Sequence, residues 1–170
     1  AIATFVTGGI GGVHRKAELT MDISTDLTEL SRTPIVVVSA GIKSILDIRK
    51  TLEVLETLGV PVLTFRSNEF PAFFHAASGI DSPARVDNTT DIANYYHSAR
   101  QLQLQHGMLI AVPPPVTDIQ HGVDIESAIQ AALIESEQLE ISGRDLTPFL
   151  LKRVAEQTKG DSLAANVALV

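Results

Sequence analysis

Short apolar runs alternate with longer amphipathic segments along most of this chain. Three of the runs contain almost no polar residue and are rich in branched side chains: residues 34–39, 61–65 and 108–112. A run without polar alternation is typical of a strand buried on both faces, as in a parallel sheet. Residues 2–7 and 83–87 predict two further strands, and the first of these ends in glycines.

The segments between the strands carry the apolar periodicity of helices. The clearest helix is predicted over residues 44–58, and Gly59 follows it as a natural cap. Further helices are predicted over residues 89–106, over residues 124–140, from Thr147 with Pro148 in first position, and after Gly160. Because strands and helices alternate, we expect the α/β fold class with a largely parallel sheet.

Composition excludes several classes of protein. The chain has no cysteine, so disulfides, thiolate nucleophiles and cysteine zinc sites are absent. Its net charge is −7 and its basic residues are scattered, which argues against nucleic acid as a partner. No apolar stretch approaches the roughly 18 residues needed to cross a bilayer, so we expect no membrane partner. We expect a cytoplasmic protein, with organellar targeting by a preceding segment as the open alternative.

Both ends of the sequence predict a fragment of a longer protein. The chain opens at Ala1 inside a strand-like run, without an initiator methionine or a signal peptide. It closes at Val170 on an apolar helical pattern without a stop signal. We therefore expect residues 1–170 to be one domain that is truncated at both ends.

Four glycines follow the first strand, between Thr7 and Val13. Their accessible N–H groups can hold a phosphate or a sugar oxygen, with His14 and Arg15 adding charge-assisted bonds. The alternative is a tight turn that requires positive φ, and the glycines alone do not separate the two. A dinucleotide fingerprint is excluded because His14 stands where its third glycine belongs.

Asp22 has apolar neighbours on both sides, which suggests a carboxylate held near buried backbone. A lone carboxylate suits Mg²⁺ or Mn²⁺, since these ions keep much of their hydration. The alternative is a hydrogen bond that forms a turn. Of the next residues, Ser24, Thr25 or Asp26 can cap a following helix, with Glu29 completing a capping box to Asp26.

Lys43 follows a buried strand through the short turn at residues 40–42 and is expected to lie directly before a helix. Ligands of α/β sheets collect at the carboxyl ends of strands. A desolvated lysine there has a lowered pKa, and its neutral amine can attack a carbonyl or an anomeric carbon. The alternative is a surface lysine whose stem packs while its ammonium reaches water.

Three of these segments together resemble the pseudouridine-5′-phosphate glycosidase family, also called the indigoidine-synthase-A-like family. They are Phe5–Arg15 (FVTGGIGGVHR), Met21–Leu27 (MDISTDL) and Ala40–Asp47 (AGIKSILD). Further similar segments extend the resemblance over essentially the whole chain. The resemblance implies an α/β fold with a largely parallel central sheet sandwiched by helices, assembled as a homotrimer.

The resemblance also implies an activity and a set of site residues. Family members reversibly cleave pseudouridine 5′-phosphate to uracil and ribose 5-phosphate, and they prefer Mn²⁺ among divalent cations. By position in the motifs, Lys43 is the catalytic amine that forms a Schiff base at C1′ of the ribose, and Asp22 is the metal ligand. The residues implied to contact substrate are His14 at the phosphate, Asn166 at the uracil, and Ser24, Thr25 and Asp26.

The family's acid–base glutamate and a second lysine at the phosphate belong to an amino-terminal portion outside these 170 residues. We therefore expect this fragment alone to be inactive. Two other hypotheses stay open at this point. One is a non-catalytic member of the same fold that binds a sugar phosphate or nucleotide, and the other is a different Schiff-base sugar-phosphate lyase, such as an aldolase.

Overall fold

The computed structural model describes residues 2–114, 125–141 and 143–158. In these ranges the strands are β1 (Thr4–Val6), β2 (Val13–His14), β3 (Val36–Ser39), β4 (Leu46–Asp47), β5 (Val62–Phe65), β6 (Arg85–Val86) and β7 (Met108–Ala111). The helices are α1 (Ala17–Thr20), α2 (Thr25–Arg32), α3 (Ile48–Thr57), α4 (Thr89–Gln101), α5 (Ile125–Gln138) and α6 (Leu146–Gln157).

A parallel sheet forms the centre of the fold. Its strand order is β1-β3-β7-β5-β6, and all of its neighbouring strands are parallel. The short strands β2 and β4 form a separate antiparallel pair beside it. The fold class predicted from the alternation of strands and helices is confirmed.

Apolar side chains project from both faces of the sheet. Val37 and Leu109 belong to a large core that also contains buried residues of α2, α3, α5 and α6. Their strand neighbours Met108 and Ile110 point to a smaller core, against which α4 packs Ile92. The sheet is therefore covered by helices on both sides, and the strictly apolar runs of β3 and β7 follow from this double burial.

The helix predicted over residues 44–58 begins later in the structure. α3 starts at Ile48, and Asp47 caps it by accepting the Lys50 N–H at 3.0 Å. The preceding residues form a turn, in which Leu46 N–H donates to Lys43 O at 2.9 Å. The prediction that Lys43 directly precedes a helix is therefore wrong. Ile45 fits the helical period but is buried as part of this turn, which periodicity alone does not distinguish.

Two other helix bounds also differ from the expectation. α4 ends at Gln101 rather than at residue 106, and Gln103 just beyond it has φ of 58°. α6 begins at Leu146, which puts Pro148 in the third position instead of the first. The helix predicted after Gly160 lies outside the described residues. In the described ranges, no helix is both long enough and apolar enough to cross a membrane.

Candidate active site

The glycine loop and the loop carrying Lys43 lie side by side at the carboxyl ends of β1 and β3. Ile10 N–H donates to Gly41 O at 3.0 Å, and Lys43 N–H donates back to Ile10 O at 3.1 Å. These bonds continue the parallel pairing of β1 and β3 beyond the strands themselves. The backbone of Lys43 is thereby fixed at the edge of the sheet where ligands of α/β folds bind.

The glycines of the loop serve close packing. Gly8, Gly9, Gly11 and Gly12 all lie outside the left-handed region, so the alternative of a turn requiring positive φ is wrong. A Cβ atom at Gly11 would lie 2.2 Å from Ser24 Oγ, and one at Gly12 would lie 2.5 Å from Thr51 Oγ1. The missing side chains therefore let the start of α2 and the body of α3 approach the loop directly.

Protein acceptors already engage several N–H groups of this loop. Gly11 N–H donates to Asp26 Oδ2 at 2.7 Å, and Val13 N–H donates to Thr51 Oγ1 at 2.9 Å. His14 N–H donates to Asp22 O at 3.0 Å. The loop consequently offers a ligand fewer free donors than its four glycines suggest, and the carboxylate of Asp26 is held against it.

Ser24 is the N-cap of α2, one of the three possibilities that the sequence left open. Its Oγ accepts the Asp26 N–H at 3.2 Å, while its own N–H donates to Gly12 O at 2.9 Å. The predicted capping box is wrong, because Glu29 binds Arg32 and Thr33 within the helix instead. Ser24 and Asp26 thus join α2 to the glycine loop.

Replacing Ser24 by alanine is expected to lower the free energy of unfolding by about 1 kcal/mol, the usual value of a helix N-cap. Asn88→Ala is the matched control, because Asn88 caps α4 by accepting the Asp91 N–H at 2.9 Å. Urea unfolding should give similar losses for the two variants. Only Ser24→Ala should speed hydrogen exchange at the Gly11 amide. Equal exchange at Gly11 in both variants would contradict the link between α2 and the loop.

His14 and Asp22 come together where the glycine loop ends. His14 Nε2 lies 3.9 Å from Asp22 Oδ2 and 3.4 Å from Thr147 Oγ1. The imidazole is buried, whereas the Asp22 side chain keeps 26% of its surface exposed. Thr147 reaches this pair from the first turn of α6, and no feature of its local sequence singled it out as a neighbour of His14.

Lys43 is half-buried at the carboxyl end of β3. Within the part of the chain that the structure describes, its ammonium makes no hydrogen bond and no ion pair. Its backbone, by contrast, is bonded on both sides, to Ile10 and to Leu46. A long side chain on a fixed backbone, without a partner among the described residues, can meet a ligand.

Two ion pairs that join helices have displaced pKa values. The hydrogen bond from Lys50 to Glu18, 2.6 Å long, lowers the pKa of Glu18 and raises the pKa of Lys50. The carboxylate of Glu135 accepts from Arg153 at 2.7 Å and raises the pKa of that guanidinium. These pairs join α1 to α3 and α5 to α6, and all four groups reach solvent.

The structure gathers most of the residues that the sequence analysis selected. The loops carrying Lys43, His14 and Asp22 meet at one edge of the sheet, and the start of α2 with Ser24, Thr25 and Asp26 packs on the same glycine loop. Asn166 lies outside the described residues. Among the described residues, no three acidic or histidine side chains come close enough to form a metal centre by themselves.

These features define an α/β protein with a candidate ligand site at the carboxyl ends of parallel strands. The family described as indigoidine synthase A like protein matches residues 1–170. The chain belongs to this family, as the resemblance predicted.

Curated relatives and solved structures agree with this assignment. Pseudouridine-5′-phosphate glycosidase of Arabidopsis thaliana is 55% identical over 99% of this chain and 51% of its own length. The enzyme of the same name from Staphylococcus aureus is 49% identical over 99% of the chain and 55% of its own length. This chain therefore spans about half the length of the curated relatives that it matches.

Two solved structures share the fold. The prealnumycin C-glycosynthase AlnA, in complex with ribulose 5-phosphate, has a TM-score of 0.87 and 37% identity over 98% of this chain and 55% of its own. An indigoidine synthase A-like protein from Thermotoga maritima has a TM-score of 0.80 and 42% identity over 96% of this chain and 53% of its own.

Proposed function

We propose that the protein containing this chain reversibly cleaves the C–C glycosidic bond of pseudouridine 5′-phosphate, giving uracil and ribose 5-phosphate through an imine on Lys43. The names of the relatives from Arabidopsis thaliana and Staphylococcus aureus support this substrate. The ribulose 5-phosphate bound to AlnA supports a sugar-phosphate site in this fold. The observation that carries the proposal is Lys43 itself, on a fixed loop at the carboxyl edge and without a partner among the described residues.

A lysine nucleophile suits the bond to be broken. Because pseudouridine joins uracil to ribose through carbon, protonating a glycosidic heteroatom does not release the base. The Lys43 amine forms a bond to C1′ and loses a proton, and the C1′–O4′ bond breaks as O4′ takes a proton. The nitrogen lone pair then forms C=N, the C1′–C5 bond breaks, and C5 takes a proton. Water adds to the iminium and releases open-chain ribose 5-phosphate, which regenerates the amine.

The other site residues are proposed to bind the substrate during this reaction. His14, which is buried beside Thr147, is proposed to bind the phosphate of the sugar. Ser24, Thr25 and Asp26 are proposed to contact the substrate from the start of α2, where the Gly11 N–H orients the Asp26 carboxylate. Asn166 is proposed to read the uracil edge. The two-carboxylate arrangement of ordinary glycosidases is not needed for this reaction.

Asp22 is the proposed ligand of Mn²⁺ or another divalent cation. Its carboxylate is partly exposed, and its Oδ2 lies 3.9 Å from His14 Nε2, too far for a hydrogen bond, so oxygen lone pairs are available for a hydrated cation. A single carboxylate completed by waters fits the coordination of Mg²⁺ and Mn²⁺. When bound, the ion would supply ordered water and polarisation of the uracil. The proposal extends to the homotrimeric assembly that the family resemblance implies and to the cytoplasmic location expected from the sequence.

The test uses the full-length protein with pseudouridine 5′-phosphate and Mn²⁺, and it measures uracil and ribose 5-phosphate by chromatography. We expect both products in equal amounts, their loss with a chelator, and synthesis of pseudouridine 5′-phosphate in the reverse direction. Residues 1–170 alone should give no turnover. Substrate binding without products would instead identify a non-catalytic member. Cleavage of sugar phosphates that uracil does not inhibit would identify an aldolase.

A further inference from the structure

Arg15 connects the end of the glycine loop to the turn that begins at Lys43. Its Nη2 donates to Ser44 O at 3.1 Å. The other side of the guanidinium faces Glu126 in the first turn of α5, with Nη1 at 3.1 Å from Oε1 and Nη2 at 3.5 Å from Oε2. The planar guanidinium of Arg15 therefore holds the Ser44 carbonyl next to Lys43. The Glu126 carboxylate of α5 holds the guanidinium in place.

The carbonyl that Arg15 binds belongs to the central peptide of the turn. Lys43 O accepts from Leu46 N–H, so Ser44 and Ile45 are the two central residues. Type I and type II turns differ by a flip of the peptide between these central residues, which carries Ser44 O. A hydrogen bond to that oxygen favours one of the two orientations. Arg15 therefore helps to hold the central peptide of the turn that follows Lys43 in its observed orientation.

We propose that Arg15 is a positioning residue for Lys43, acting through Ser44 and supported by Glu126. The catalytic part of this inference rests on the proposed function, in which the Lys43 amine attacks C1′. From the sequence alone, Arg15 was a candidate contact for a phosphate. In the structure its donors already serve a carbonyl and a carboxylate, and Glu126 balances its charge. Its role is to hold the nucleophile's turn rather than to bind the substrate.

The experiment compares Arg15→Gln and Arg15→Lys with wild type in the full-length protein. Arg153→Gln is the matched control, because Arg153 also binds a carboxylate of α5 through two nitrogens, at 2.7 and 2.8 Å from Glu135. Its partners lie on α5 and α6, away from the Lys43 turn. Two readouts are taken: hydrogen exchange at the Leu46 amide, which does not depend on activity, and kcat and KM for pseudouridine 5′-phosphate.

We expect exchange at Leu46 to become about fivefold faster in Arg15→Gln, as loss of one hydrogen bond predicts. The kcat should fall by roughly tenfold to a hundredfold with KM changed by less than about threefold, since misplacing a nucleophile affects the reacting state. Arg15→Lys should not restore kcat, because an ammonium cannot bind both partners as the planar fork does. In Arg15→Ala, added guanidinium should restore part of the lost kcat. Arg153→Gln should leave both readouts near wild type.

Unchanged exchange at Leu46 in Arg15→Gln would overturn the inference whatever the enzyme does. A raised KM with unchanged kcat would also overturn it, because Arg15 would then be a substrate ligand. If wild type itself produces no uracil, the proposed function fails, while faster exchange in Arg15→Gln would still support the positioning of the turn. The two proposals therefore fail by different measurements.

Discussion

Replacing Lys43 by alanine is expected to abolish turnover, with a loss of roughly a thousandfold or more in kcat, because the variant lacks the nucleophile. The same change should remove the covalent adduct that wild-type, full-length protein forms with ribose 5-phosphate and borohydride. Peptide mass mapping should find that adduct on Lys43. Lys43→Arg should be equally inactive, since it keeps the positive charge but offers no neutral amine at ordinary pH.

Lys50→Ala is the control for this experiment. Lys50 lies in α3, the first helix after Lys43, and its ammonium donates a hydrogen bond to Glu18 at the surface. Its removal should leave both adduct and turnover in place. If wild type binds ribose 5-phosphate but yields no adduct, Lys43 is not the nucleophile. That result would favour the hypothesis of a non-catalytic family member. An adduct on Lys50 instead of Lys43 would contradict the site described above.

Replacing Gly11 by alanine is expected to damage stability and substrate binding together. The new Cβ would lie 2.2 Å from Ser24 Oγ, 2.6 Å from Ser24 Cβ and 2.9 Å from Asp26 Oδ2. A new rotamer of Ser24 relieves only the first contact, because its Cβ moves with the backbone. The start of α2 must therefore shift, at a cost of about 1–3 kcal/mol for overpacking. That shift displaces the Ser24–Asp26 segment, so KM should rise markedly.

Gly59→Ala separates the effect on binding from the effect on stability. A Cβ atom added at Gly59 would meet no described atom within 4 Å, but the φ of +69° strains alanine there by about 1–2 kcal/mol. It follows α3, away from the site. Thermal unfolding should show comparable losses for the two variants, while KM rises only for Gly11→Ala. If both variants bind substrate like wild type, the contact between α2 and the glycine loop is not important for binding.

The parallel sheet and the place of Lys43 could be predicted because each depends on local sequence. An uninterrupted apolar run such as β3 is stable only where both faces are buried, so it indicates a central parallel strand. The residue that follows such a strand by a short turn must then lie at the carboxyl edge. The start of α3 could not be predicted in this way, because Ile45 satisfies both a helical period and a buried turn.

The close packing of the glycine loop could not be predicted, because it depends on contacts between distant segments. The spacing of Gly11 and Gly12 does not reveal that a Cβ atom at these positions would meet Ser24 and Thr51. Likewise, nothing in the sequence around Arg15 relates it to Glu126, which lies 111 residues away. The approach of Thr147 to His14 has the same origin, since it follows from the packing of α6.

The sequence by itself determined the α/β class, the strand that presents Lys43, and, through three specific motifs, the family. These features follow from the apolar pattern of short segments and from the residues of three local motifs. Only the tertiary structure decided which donors of the glycine loop are already used, which residue caps α2, and what holds the turn after Lys43. The physical reason is that hydrogen bonds and steric contacts between distant segments depend on distances of a few tenths of an ångström, and those distances are set by the packing of the whole domain.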